Sequence, residues 1–189
     1  ANGSSSMTIQ GTESDINAAL NGLTYTPTAN YYGNDSLVVT STLGADLQGY
    51  YTFEGNAIDQ SAGTLQNGTF VNNATTVTDP ERGQVLSLDG VDDYVSISGR
   101  FNDPTNVTLA AWVYVDAADT NGSHVISLGT SVVLGVDRPN AGEGVQGFFY
   151  DGTTYNATAS GTFLAGTGWQ HIAYVFDDTN NRQTLYTNG

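Results

Sequence analysis

From Gly49 to Gly189 the chain alternates short apolar runs with clusters of Gly, Asn and Asp. The runs are Gly49–Phe53, Val85–Leu88, Tyr94–Ile97, Val107–Val115, His124–Leu128, Ser131–Val136, Gly147–Tyr150, His171–Phe176 and Gln183–Tyr186. Runs this short, bounded by turn formers, predict strands joined by tight turns, the cadence of an antiparallel sandwich or jelly roll. None sustains a helical period. In Val107–Val115, alternation puts Val107, Leu109, Ala111, Val113 and Val115 on one face and Thr108, Ala110, Trp112 and Tyr114 on the other. Both faces are partly apolar, which suits a strand covered on both sides or one carrying an aromatic platform. The strongly apolar settings of Trp112 and Trp169 predict core positions for both, and His171 reads as a packed strand residue. The stretch from His171 through the Thr179–Arg182 turn to Tyr186 reads as a hairpin.

The first 46 residues have a different rhythm. Ser6–Gln10 and Ser36–Ser41 predict strands. Ser14–Leu20 predicts one or two helical turns, capped by Ser14 or Asp15 and stopped at Asn21-Gly22. The expected organisation is therefore all-β with two units, residues 1–46 and 47–189.

Composition narrows the chemistry. Hydrophobic residues make up 39% and aromatics 11%, enough for a packed core. The net charge is −15, Lys is absent, and the only cations besides two His are Arg82, Arg100, Arg138 and Arg182. Such a surface repels phosphate backbones and anionic membranes, so no nucleic-acid partner is expected. No apolar run is long enough to cross a bilayer, so no direct membrane insertion is expected either. The first residues are polar, so any export signal is expected outside this sequence. With no Cys there is no thiol or disulfide chemistry. His124 and His171 alone are too few for a zinc site, and there is no Gly-x-Ser-x-Gly nucleophile elbow.

Two resemblances add to this picture. The string from Asp15 to Thr42 (Ile-Asn-Ala-Ala-Leu, Leu-Thr-Tyr-Thr-Pro, Tyr-x-Gly-x-Asp-Ser-Leu) resembles the C-terminal end of a bacterial cadherin-like adhesin repeat. Four ordered motifs further on resemble the bacterial laminin-G-like family of concanavalin A-like jelly rolls. They are the Asp59-x-Ser-x-Gly63 loop, Leu88-Asp-Gly-Val-Asp-Asp-Tyr-Val95, Thr108-Leu-Ala-Ala-Trp112, and Trp169-Gln-His-Ile-Ala173 followed by Leu185-Tyr-Thr-Asn-Gly189. The second resemblance implies a two-sheet jelly roll, frequent calcium binding, and glycan or protein recognition. The family continues beyond the Tyr-x-Asn-Gly turn, so the domain is expected to be truncated here or completed by polypeptide outside this chain.

Calcium takes six to eight oxygens. If the two loops are neighbours, as the resemblance implies, Asp59, Asn67, Asp92 and Asp93 are its candidate ligands; the same residues serve equally well as turn formers. Tyr150, Asp151, Tyr155 and Asn156 are candidate glycan contacts, two aromatic faces beside two hydrogen-bonding side chains. Catalysis is not expected. Glycoside hydrolysis on this architecture needs paired carboxylates, and none of the four Glu (Glu13, Glu54, Glu81, Glu143) lies in a Glu-x-Asp-x-x-Glu strand. The expected function is extracellular adhesion or recognition as part of a large modular surface protein. Its partner would be a glycan or a surface protein, with calcium as structural ion. The alternative is a structural subunit of an extracellular fibre or matrix, completed by strands of neighbouring copies.

Overall fold

The structure, a computed structural model, describes residues 47–99, 105–118, 123–137 and 142–189, together with Ala18 and Asn21, both helical. The chain divides into two units, residues 1–41 and 42–189. Apart from Ala18 and Asn21, the elements expected within residues 1–46 lie outside the described residues.

The second unit is an antiparallel β protein, with eleven strands among its described residues: β1 (Gly68–Val71), β2 (Thr75–Asp79), β3 (Gly83–Ser87), β4 (Tyr94–Ile97), β5 (Asn106–Tyr114), β6 (Ser123–Leu128), β7 (Val132–Val136), β8 (Gln146–Tyr150), β9 (Tyr155–Ala159), β10 (Trp169–Asp177) and β11 (Arg182–Thr187). They form a four-stranded sheet β6-β7-β8-β9, a three-stranded sheet β11-β10-β5, and the two-stranded pairs β1-β4 and β2-β3. The jelly-roll sandwich class expected from the apolar pattern is the one observed. Most runs fall on strands. Gly49–Phe53 does not: it is irregular, Phe53 adopts a left-handed φ of 58°, and the Tyr51 hydroxyl donates to the Gln66 carbonyl at 2.6 Å. Strands β1, β2 and β9 were not among the runs. Their Thr, Asn and Gly content hides them, because they are edge or surface strands with little apolar signal.

The two larger sheets pack face to face. Leu109 of β5 and Ile172, Tyr174 and Phe176 of β10 share one buried cluster with Val132, Leu134 and Val136 of β7, joined by Val145 and Leu164. Phe149 of β8 meets Phe176 across the layers with ring centroids 4.4 Å apart. The sheets approach closely at Gly147, where a Cβ would stand 2.2 Å from the Tyr174 ring. Only glycine lets β8 lie this close to β10. Tyr174 is fully buried, and its hydroxyl donates to Gln183 Oε1 at 2.8 Å. Burial pushes that phenol up to about 12.

Buried Asp137 closes one end of the core. It sits just past β7 with a left-handed φ of 46°. Its carboxylate accepts the backbone N–H groups of Leu164 (2.9 Å) and Ala165 (2.7 Å). A buried carboxylate is tolerated when N–H donors replace its water shell.

Outward faces follow from the β alternation. The expected split of β5 holds, with Leu109 buried and Trp112 turned outward. The core assignment of Trp112 does not hold, since it is 51% exposed. Trp112 and Tyr114 lie opposite His171 and Trp169 on the outer side of the three-stranded sheet. The expected core Trp169 is half-buried there. An apolar strand neighbourhood does not say which sheet face is covered, and Trp112 has the β2–β3 turn over it instead of the second sheet. The Arg82 guanidinium stacks 3.6 Å from the Trp112 centroid and 5.1 Å from that of Trp169.

Candidate functional site: a cleft on the four-stranded sheet and two acidic loops

The outer face of the four-stranded sheet carries a cleft of about 510 Å³. Its position follows from register. Val133 of β7 pairs with Phe148 of β8, which pairs with Ala157 of β9, and Tyr150 pairs with Tyr155. Alternation therefore puts Val133, Gly135, Gln146, Phe148, Tyr150, Tyr155 and Ala157 on the same side, away from the core. The outer strand β6 joins them through a bulge. Between His124 and Ile126 the register shifts, so that His124 lies opposite Gly135 and Ser127 opposite Val133. The one extra residue turns His124 to the cleft side, where regular alternation would have sent it to the core.

The rings form a row across the sheet. His124 and Phe148 meet at 5.6 Å with planes at 63°. Phe148 and Tyr155 meet at 5.7 Å and 84°, and Tyr155 and Tyr150 at 4.8 Å and 40°. Tyr155 is 59% exposed. Val133 and Ala157 supply apolar lining, and Thr130 and Glu143 also border the space. Gln146 lies among them, only 6% exposed. At Gly135 a Cβ would come within 3.3 Å of the Gln146 Cγ, so the glycine gives the Gln146 side chain room against the sheet. Among the described residues the Gln146 amide has no hydrogen-bond partner, and it borders the cleft. The residue's small exposed surface thus opens on the cleft, where its amide can meet a ligand or water.

The four expected glycan contacts come together at the β8–β9 turn, but in different roles. Tyr150 and Tyr155 extend the ring row. Asp151 organises the turn: its carboxylate accepts Thr153 N and Thr154 N at 2.8 Å, both threonine hydroxyls, and Asn156 Nδ2 at 2.9 Å. These donors, the Thr154 N–H foremost, hold its carboxyl far below the usual carboxylate range. Asn156 is thus tied to Asp151. The residues missing from the expected set are His124, Gln146 and Phe148. For Phe148 and Gln146 the signal was present, since both alternate with Tyr150. For His124 it was hidden by the bulge.

The expected calcium ligands fall into two loops. Asp59 is 1% exposed; its Oδ1 accepts Tyr50 N (3.0 Å) and Ser61 N (2.9 Å), and its Oδ2 accepts Gln66 N (3.0 Å). Burial pushes its carboxyl up, but the N–H groups of Gln66, Ser61 and Tyr50 outweigh burial and hold it below its ordinary value. Asn67 belongs to the same loop, its Oδ1 accepting Asp59 N at 3.0 Å. Asp92 and Asp93 lie in the other loop with Asp89, one carboxylate oxygen of each within 4.8 Å of the others. Asp59 is not part of that group. The second loop is held by bonds within it and to the β1–β2 turn: Asp93 accepts Asp89 N at 3.1 Å and, from that turn, Asn73 N at 2.7 Å, and Asp89 accepts Val91 N at 2.8 Å. Three carboxylates at this spacing have the hard oxygen donors that calcium takes. Asp59, with both oxygens engaged by backbone amides, acts as the clasp of its own loop.

Comparison with known proteins fits the fold. No curated protein and no solved structure matches the chain. A laminin-G family model, described as the concanavalin A-like lectin/glucanases superfamily, matches residues 89–189, more than half of the chain, and takes in every strand from β4 to β11. With its two stacked antiparallel sheets, the chain belongs to the laminin-G-like branch of the concanavalin A-like lectin/glucanases superfamily.

Proposed function

We propose that residues 47–189 form the recognition module of a modular extracellular adhesin, and that the module binds carbohydrate, without catalysis, in the cleft of the four-stranded sheet. The observation that carries this reading is the row of aromatic rings across the cleft, with the Gln146 side-chain amide, unpartnered among the described residues, bordering the same space. Sugars combine apolar C–H faces with many hydroxyls. Aromatic faces take up the first and a fixed amide the second. A protein surface partner would be better matched by a broad patch than by a cleft of this size. The cadherin-like resemblance of residues 1–46 supports an adhesin context, and the low Arg content and absent Lys support a soluble, anionic exterior. Calcium, in this reading, is a structural ion held by Asp89, Asp92 and Asp93, where it would stiffen the loop leading into β4.

The test is a glycan array probed with the full chain and with Phe148→Ala and Tyr155→Ala. Selective binding to a set of glycans, weakened tenfold or more by either substitution, with bound oligosaccharide recovered intact, is expected. Absence of any glycan binding, or binding untouched by both substitutions, would refute the cleft as the site.

A further inference from the structure

We propose that the cleft is one stretch of a longer track, with Tyr150 as an outlying subsite, and that it grips the interior of a linear polysaccharide instead of a terminal sugar. The inference rests on the glycan reading above and names the form of ligand that the site takes. Strand order sets the span. His124 belongs to β6 and Tyr155 to β9, the two edge strands of the four-stranded sheet. The rings therefore reach from one edge of the sheet to the other, across three strand spacings or about 14 Å. Successive ring centroids are 5.6, 5.7 and 4.8 Å apart. One pyranose covers about one aromatic ring, so a single sugar leaves most of the row bare.

Both ends of the row are open. His124 is exposed at one end, Tyr155 and Tyr150 are 59% and 39% exposed at the other, and Phe148 is half-buried between them. A pocket for a chain end would have a wall beyond its last ring. The described residues that line this cleft belong to the four strands, to the β6–β7 turn, or to Glu143 just ahead of β8, so none from another sheet closes it. Tyr150 is not among the lining residues, yet its ring meets that of Tyr155, and the row continues past the cleft onto the β8–β9 turn. There the Tyr150 hydroxyl donates to the Gly152 carbonyl at 3.0 Å, and the Asp151 carboxylate ties the turn through the N–H groups of Thr153 and Thr154. An exposed ring held in place this way has little conformational entropy left to lose when a ligand meets it.

The experiment titrates the full chain, by calorimetry, with oligomers of one to six residues in five linear series: β-1,4-, β-1,3- and α-1,4-linked glucose, β-1,4-linked mannose and β-1,4-linked xylose. A glycan array is probed alongside. At least one series is expected to bind, with affinity rising about tenfold from disaccharide to tetramer as further rings are engaged. The parent polymer, which has few ends, is expected to compete per unit mass at least as well as the tetramer. Tyr150→Ala is expected to erase the gain of the longest chains, whereas Phe148→Ala lowers affinity at every length. The interior-segment inference fails, while the glycan reading stands, if a mono- or disaccharide binds as tightly as the longer chains, if the polymer competes only in proportion to its ends, or if array retention is confined to branched glycans. A length series unchanged by Tyr150→Ala also overturns it. If no oligomer binds and no glycan is retained on the array, both readings fail together. Should Tyr150→Ala lose its fold by far-ultraviolet circular dichroism, the length series and polymer competition of the unaltered chain decide on their own.

Discussion

Gly147→Ala probes the contact on which the two-layer architecture depends. A Cβ at this position would stand 2.2, 2.4 and 2.6 Å from three carbons of the Tyr174 ring. Carbon atoms in good contact sit about 3.5–4.0 Å apart, so the sheets must separate locally by an ångström or more, or the ring must leave its rotamer. The ring has little freedom to move: Tyr174 is 0% exposed and its hydroxyl is bonded to Gln183. Overpacking of a dense core costs about 1–3 kcal/mol, and three simultaneous overlaps with one immobile ring place this substitution at the upper end, about 3 kcal/mol. For a unit of roughly this size that corresponds to a fall in Tm of about 6–12 °C. Urea unfolding followed by tryptophan fluorescence measures the loss. The companion variant Tyr174→Leu removes the obstructing ring. By itself it costs about 2–4 kcal/mol through lost burial and a cavity, but in the double variant the new methyl occupies part of that space. The double variant is therefore expected to be more stable than the sum of the two losses by at least 1 kcal/mol. A Gly147→Ala protein within 0.5 kcal/mol of the parent, or strictly additive losses, would refute the close packing of β8 on β10. Gly147 lies between Gln146 and Phe148, so a displaced β8 is also expected to weaken glycan binding.

Other outcomes follow from the same structure. Asp137→Ala strips the acceptor from the N–H groups of Leu164 and Ala165 and is expected to cost about 2–4 kcal/mol, with Asp137→Asn costing less because one oxygen remains; equal losses in a denaturant titration would contradict the clasp. Stability should fall in acid: the folded Asp59 carboxyl ionises below its ordinary value, so below about pH 4 the unfolded chain binds a proton the folded one refuses. The Asp59 contribution is thus present above that pH and lost as pH falls through the depressed folded value, and the slope of Tm against pH between 4 and 2 should be shallower in Asp59→Asn. Calcium is expected to raise Tm in the parent and in Asp59→Asn but not in Asp92→Asn, as differential scanning calorimetry with and without chelator would show; loss of the effect in Asp59→Asn alone would move the ion to the other loop. Arg82→Ala removes the guanidinium stacked on Trp112 and is expected to cost about 0.5–1 kcal/mol with a red-shifted tryptophan emission, whereas an unshifted spectrum would mean the stack is not formed in solution.

Much of this protein could be read along the chain. The short apolar runs between Gly, Asn and Asp clusters determined an antiparallel sandwich, because a period of two with frequent turns admits few other folds. The hairpin from His171 to Tyr186 and the two faces of β5 were legible for the same reason: alternation is local. The β8–β9 turn residues Tyr150, Asp151, Tyr155 and Asn156 could be singled out by type, though their division into ring row and turn clasp could not.

Tertiary structure decided what depends on pairing between distant residues. Whether Trp112 faces core or solvent turns on which sheet covers which face, and an apolar strand looks the same either way. His124 reaches the cleft only because one extra residue in β6 shifts its register against β7. Asp59 and Asp92 sit in similar acidic, glycine-bearing loops, yet one is buried under three backbone N–H groups and the other joins an open carboxylate cluster, a difference set by which amides the fold points at each. Gln146 is an ordinary polar residue in sequence; only its pairing with Gly135 and the alternation of β8 bring it to the border of the cleft beside Phe148.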